Sequence, residues 1–194
     1  QATLQDGIDP CVAACEAWMG KRDGLDFDID GVVVKVNDFA IQRQLGVVGR
    51  DPRWATAYKF PPQEATTKLL KIAINVGSTG ALNPFAILEP VRVGGVMVRQ
   101  ATLHNEDDIN RKDIREGDTV VVRRAGEVIP QVVGPVLDRR PRKSKPFEMV
   151  KRCPVSNDVA VKPEGEATYF CPNPVCPAVV RRTVDLFVSR GAAD

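Results

Sequence analysis

No stretch of this sequence is long and apolar enough to span a membrane as a helix, and no secretory signal is visible in it. Membrane association is therefore not expected. Residue 1 is glutamine rather than methionine, so the chain is expected to be a piece of a longer cytosolic protein. Cysteine is sparse and odd in number, at five, which argues against a disulfide framework. Excess charge is small as well. A net charge of +2 confines any nucleic-acid surface to a local patch. Histidine occurs once, at His104, and is expected to be a structural hydrogen-bonder rather than a catalyst. What remains, 194 residues of which 43% are hydrophobic, suits one or two small domains with real cores.

Asp9-Pro10 predicts a helix start, with aspartate as N-cap and proline at the first helical position. Cys11, Val12, Cys15, Trp18 and Met19 recur at helical spacing, and Gly20 and Gly24 can end the helix. Cys11 and Cys15 read as core residues, because two further metal ligands are missing nearby. A strand around Val32–Val36, a short helix or loop around Phe39–Leu45 and a strand at Ala55–Phe60 follow, and Pro61-Pro62 closes the unit.

Each of those strands carries one lysine, Lys35 in the first and Lys59 in the second. A lysine in a buried strand is costly unless it meets a counter-charge. Two on successive strands suggest an anionic ligand, with a phosphate chain the natural candidate. Two strand-end lysines that snorkel to solvent explain the same pattern, and pattern alone leans toward that plainer account.

From about Lys68 to Leu137 the pattern is all-β. Short strands are expected at Leu69–Val76, Ile87–Val93, Val96–Val98, Thr119–Arg123 and Val132–Leu137, with turns at Gly94-Gly95 and Glu116-Gly117-Asp118. Asn105 caps one short helix running to about Lys112, with Asp107 and Asp108 in its first turn. That content fits a small Greek-key barrel of the OB kind. Arg139–Arg152 is basic and contains proline, and reads as a linker or an exposed arm open to phosphate contact. The segment from Cys153 to Cys176 is too small to be held by burial and calls for a metal. Cys153, Cys171 and Cys176 are the candidate zinc ligands. The fourth position falls on Ser156, with Asp158 as an alternative, or the site is weakened or lost.

Two motif matches fail on context. Asp26-Phe27-Asp28-Ile29-Asp30-Gly31 opens like an EF-hand loop, but its twelfth position is Asn37 and a β-rich run follows. Lys21-Arg22-Asp23-Gly24 matches the Lys-x-Asp-Gly pattern of an adenylated lysine. It ends a helix immediately before the Asp30-Gly31 strand, so Lys21 reads as a surface residue.

Taken in order, the segments resemble the bacterial NAD-dependent DNA ligases. Ile29–Val36 looks like nucleotidyltransferase motif IV, and Arg53–Pro61 looks like motif V. Gly80–Pro84, Ala101–Asn105 and Arg123–Pro130 resemble the family's OB domain. Cys153–Cys176 resembles its zinc finger, and Phe187–Ala192 the entry to its helix-hairpin-helix domain. The implied fold class is α+β and mainly β. The implied domains are the C-terminal part of an adenylation (nucleotidyltransferase) domain at 1–64, an OB-fold barrel at 65–142, a zinc-finger-like module at 143–180 and the start of a helix-hairpin-helix domain at 181–194.

In this family a lysine attacks NAD to form lysyl-AMP, AMP passes to the 5′-phosphate of a nick, and the 3′-hydroxyl displaces it. The resemblance implies that Lys35 and Lys59 contact the phosphates of NAD and then of AMP. It implies that Asp30 orders the same pocket and magnesium or manganese. Simple pairing with a neighbouring acid stays open for one of the lysines, and capping of the Gly31 turn for Asp30. Arg123 and Arg124 are expected on DNA phosphates, with Val128 and Ile129 either in the minor groove or as ordinary strand residues at a barrel edge. Arg99, Arg181 and Arg182 are unspecific candidates. The partner implied is nicked duplex DNA in replication and repair, in a bacterial cytoplasm, with a monomeric enzyme.

The chain departs from the family in two places. Ser78 stands where the family has arginine, and Ser156 where it has a zinc cysteine. The adenylated lysine is expected to lie outside this chain, which would be inactive alone. A non-enzymatic OB–zinc DNA clamp and an ATP-dependent ligase or capping-type nucleotidyltransferase are the competing functions. The zinc segment argues against the last.

Overall fold

The computed structural model describes residues 2–124 and 129–189, with Asp23 by its backbone only. Contacts divide the chain into two compact units, parted at Gln63/Glu64.

The first unit begins with α1, Ile8–Lys21, continued by a 3-10 turn at Arg22–Gly24. Gly7, not Asp9, is its N-cap, which leaves Asp9 and Pro10 inside the first turn. Proline is tolerated there because first-turn N–H groups have no intrahelical acceptor. Cys15 is buried and Cys11 half-buried. Next come β1 (Gly31–Lys35), α2 (Phe39–Leu45), a small hairpin of β2 (Val47–Val48) and β3 (Asp51–Pro52), and β4 (Ala55–Lys59). Asp38 caps α2, its Oδ1 accepting from the N–H groups of Ala40 at 2.6 Å and Ile41 at 3.2 Å. Strands β1 and β4 pair antiparallel, with Gly31 opposite Lys59 and Lys35 opposite Ala55.

The second unit is built on β5 (Gln63–Val76), β6 (Ala81–Val93), β7 (Val96–Thr102), α3 (Glu106–Lys112), β8 (Thr119–Arg124) and β9 (Gln131–Pro135). The strand order β6-β5-β8-β9-β7, with β7 returning to β6, closes five strands into a barrel. Its seam is the parallel pair Thr102–Gln131. A meander, a helix between the third and fourth strands and a parallel closing contact define an OB fold. Leu69, Leu103, Ile109, Ile114, Val120 and Val122 are at most 1% exposed and belong to one cluster inside the barrel. Each such side chain contributes about 1.5–3 kcal/mol of burial. Asn105 Oδ1 accepts the Asp108 N–H at 2.8 Å, the cap that its sequence predicts.

Strand β6 runs through Pro84 and Pro90 and is longer than expected from sequence. Between Ile87 and Val91 its register with β7 shifts, so Pro90 lies where the ladder is already interrupted.

The basic stretch after the barrel is irregular and exposed at Arg139, Arg142, Lys143, Lys145, Lys151 and Arg152, as its sequence suggests, but it is anchored at two points. A 3-10 turn at Leu137–Arg139 leads to Arg140, whose Nε and Nη2 donate to the fully buried Asp118 carboxylate at 3.1 and 3.0 Å. Met149 is buried, and its N–H donates to Glu106 Oε1 at 3.2 Å. The cysteine-bearing segment follows with β10 (Tyr169–Phe170), which pairs with β6, and α4 (Pro177–Phe187).

Candidate functional site

Alternation along paired strands sets the geometry of the two lysines. Residues 31, 33 and 35 share one face of β1, and cross-strand partners share that face too. Lys59, opposite Gly31, therefore stands on the same face as Lys35, at the other end of the ribbon. That face is not buried: Val33, Ala57 and both lysines are exposed. The desolvation cost expected from an apolar strand does not arise.

Lys59 Nζ lies 2.6 Å from Asp30 Oδ2. The hydrogen bond and then the charge of Lys59 hold the Asp30 carboxyl below its usual range. The Asp30 carbonyl accepts the Phe60 N–H at 2.9 Å, so Asp30 is tied to the end of β4 twice. Gly31 lets the strands approach, because a Cβ there would collide with the Tyr58 carbonyl oxygen. Lys35 has no ionic partner among the described residues. It lines a groove of about 1140 Å³ within the first unit, together with Trp18, Phe39, Gln42 and Trp54. Lys21 is on the surface, its ammonium 5.4 Å from the Trp18 ring centre.

On the barrel, Arg123 and Arg124 end β8. Arg123 Nε pairs with Glu64 Oε1 at 2.7 Å, and Arg124 Nη1 donates to the Gly94 carbonyl at 3.2 Å. Ile129 is 73% exposed, and Val128 lies outside the described residues. His104 Nε2 is 3.2 Å from Gln131 Oε1, across the seam. Arg182 reaches Asn75 Oδ1 at 3.4 Å.

In the cysteine-bearing segment, the sulfurs of Cys153, Cys171 and Cys176 all lie within 4.8 Å of one another, and all three residues are buried. Cys153 Sγ and Cys176 Sγ are 4.0 Å apart. A tetrahedral zinc with Zn–S near 2.3 Å needs sulfurs about 3.8 Å apart, so the donor set fits that ion. Burial raises the Cys153 thiol, but hydrogen bonds from the Ser156 side chain and the Ser156 and Val155 backbone outweigh it and bring the thiol to about 7. Asp158 does not join the cluster among the described residues. Its carboxylate accepts from Asn173 Nδ2 at 2.7 Å instead. Ser156 Oγ lies 3.3 Å from Cys171 Sγ.

Residues 1–63 match the adenylation domain of NAD-dependent DNA ligases, and residues 66–144 match the OB-fold domain of the same enzymes. The chain belongs to the NAD-dependent DNA ligase family. It is 56% identical over 184 residues to a DNA ligase of Chloroflexus aurantiacus, covering 94% of this chain and 26% of that protein. Identity to a DNA ligase of Dehalococcoides mccartyi is 57% over 183 residues, covering 89% and 27%. To a DNA ligase of Roseiflexus sp. it is 51% over 188 residues, covering 96% and 26%. The chain thus spans about a quarter of the length of the curated relatives it matches.

Several residues that organise this ligase chain carry no sequence signal of their own. Glu64 pairs with Arg123 across 59 positions. Gly80 takes φ +83° and receives the Cys171 N–H on its carbonyl at 2.9 Å. Both follow from strand and loop pairings that periodicity does not specify. Asn173 is different, because its place between two cysteines and its later bond to Val175 N–H mark it as a turn former.

Proposed function

We propose that this chain is part of an enzyme that seals nicks in duplex DNA with NAD as adenylyl donor, in replication and repair in a bacterial cytoplasm. The ordered match of residues 1–63 and 66–144 to two successive domains of the NAD-dependent ligases carries this assignment.

Phosphoryl transfer needs fixed positive charge where the phosphate oxygens gather charge. Lys59 and Lys35, on one exposed face, are the residues assigned to that task. The Lys59–Asp30 pair is more than half exposed on both sides, so it is weakly held. Lys59 can exchange Asp30 for a phosphate, and Asp30 is then released toward a hydrated magnesium or manganese ion. NAD, when bound, supplies the adenylyl group. Arg123 and Arg124 are assigned to DNA phosphates, and Ile129 with Val128 to the minor groove. Cys153, Cys171 and Cys176 are assigned to structural zinc. The protein acts as a monomer without a membrane partner.

The test is nick sealing by the parent protein that contains this chain, with NAD or ATP supplied. Sealing with NAD alone, reduced about 100-fold or more by Lys59→Ala, is the expected result. Sealing unaffected by that substitution would leave Lys59 as a surface ion pair. For the 194-residue chain by itself, a DNA-clamp role has a specific support: barrel and finger belong to one compact unit. Binding to nicked duplex that weakens steeply with salt is the signature of that role.

A further inference from the structure

Three thiols leave one corner of a tetrahedral site to be filled, and the finger has an oxygen there. An oxygen donor at about 2.0 Å and a thiolate at 2.3 Å from one zinc lie about 3.5 Å apart. Ser156 Oγ stands 3.3 Å from Cys171 Sγ. Asp158, the other oxygen donor nearby, is turned to Asn173 and stays outside the cluster. On the assignment of zinc to this finger, we infer that Ser156 Oγ supplies the fourth ligand, making a three-sulfur, one-oxygen site.

Two consequences follow from the chemistry of that set. A neutral hydroxyl donates less charge than a thiolate to a borderline-soft ion, so the ion is held less tightly than by four cysteines. The oxygen corner is also the labile one, open to displacement by an external thiol.

The finger can tolerate a weaker site because metal is not its only support. Strand β10 pairs with β6, and the Cys171 N–H is bonded to Gly80 of the barrel loop. Cys153, Cys171 and Cys176 share one buried cluster with Val76 and Leu82 of the barrel. Lys162 Nζ pairs with Asp107 of α3 at 2.9 Å. A free-standing finger has none of these contacts and depends on its ion for folding.

The experiment uses the 194-residue chain with Cys11 and Cys15 replaced by alanine, so that only the finger thiols remain. Cobalt(II) is titrated in as a spectroscopic probe, and zinc affinity is measured by chelator competition. The wild-type finger is expected to show tetrahedral cobalt bands with a three-thiolate charge-transfer intensity. Ser156→Cys is expected to raise that intensity about 1.3-fold, for four thiolates in place of three. It should also tighten zinc binding on the order of tenfold or more. Ser156→Ala should bind zinc more weakly than wild type. Equal spectra and affinities for wild type and Ser156→Cys would overturn the inference while leaving the zinc assignment in place. So would a Ser156→Ala variant that matches wild type. Binding by Ser156→Cys alone would overturn it too, since the hydroxyl would then be no ligand. Absence of binding by all three would remove the zinc assignment itself, and the inference with it.

Discussion

Cys171 donates its backbone N–H to the carbonyl of Gly80 at 2.9 Å, so one member of the three-thiol cluster is fastened to the first loop of the barrel. Gly80 also has φ +83°, and a Cβ there would stand 2.7 Å from the Cys171 carbonyl oxygen. Gly80→Ala is therefore strained twice, by its own backbone and by its neighbour. It should cost about 1–3 kcal/mol and weaken zinc binding in the finger although it lies in the barrel. Urea denaturation together with chelator competition checks both effects. A variant as stable as wild type with unchanged zinc affinity would show that the loop and the finger are not coupled.

Arg140 is the second fastening. Its guanidinium grips Asp118, which is 0% exposed, and also pairs with Asp113 at 2.5 Å. Arg140→Met leaves the Asp118 charge buried without that fork, and the expected loss is about 3 kcal/mol. The double change Arg140→Met with Asp118→Asn should recover part of it. A single variant within about 0.5 kcal/mol of wild type would mean that water replaces the guanidinium.

Acid should unfold the barrel in a defined window. Hydrogen bonds from Arg115 and then Arg140 hold the Asp113 carboxyl below the ordinary aspartate value of 3.8. Asp108 is also lowered: burial alone would raise it, but hydrogen bonds from Lys112 and Arg111 outweigh that. The folded chain therefore binds fewer protons than the unfolded one in this range. The stability these groups supply is present well above the ordinary aspartate value of 3.8, begins to fade as the pH approaches it, and is lost as the pH falls on through their lower folded values. Denaturation midpoints measured from pH 7 down to pH 2 should fall along that slope, and Asp113→Asn should flatten it.

Gly31→Ala should part β1 from β4, because the added methyl collides with the Tyr58 carbonyl at the point where Lys59 is positioned. Faster amide exchange at Val32, Tyr58 and Phe60, whose N–H groups face the partner strand, with barrel amides unchanged, is the expected result. Uniform protection in the variant would mean that the pair shifts register to accommodate the methyl.

Incubated with NAD and magnesium, the 194-residue chain is expected to form no covalent AMP adduct. Intact mass measurement decides this directly. An adduct on Lys21 would return the Lys-Arg-Asp-Gly tetrapeptide at the end of α1 to the chemistry.

Much of the fold could be read from local pattern. The limits of α2, the Asn105 cap and the five-strand barrel follow from apolar spacing and turn residues. Where pattern failed, the reason is a partner distant in sequence. Strand β5 begins at Gln63 rather than Leu69, since its polar first half is held by pairs such as Thr67 Oγ1 to the Glu89 carbonyl at 2.7 Å. Arg140 looks like one more solvated cation until the fold brings Asp118 beneath it. The two lysines were legible as a pair, but their setting was not. An apolar run of valines suggests burial, whereas Val33 is 60% exposed. Ser156 was visible from spacing alone, and its closeness to Cys171 is what chooses it over Asp158.

The barrel's seam has a consequence for how the molecule behaves in a crowded solution. Its closure rests on the Thr102–Gln131 pair and on the Thr102 N–H donated to the Pro130 carbonyl at 2.8 Å. Opening there would turn a ring without edges into a sheet with two bare ones, flanked by the outward-facing Ile129. Such an edge is a template for another chain's strand. A partner lying across the seam would cover that edge and so act as a guard against self-association.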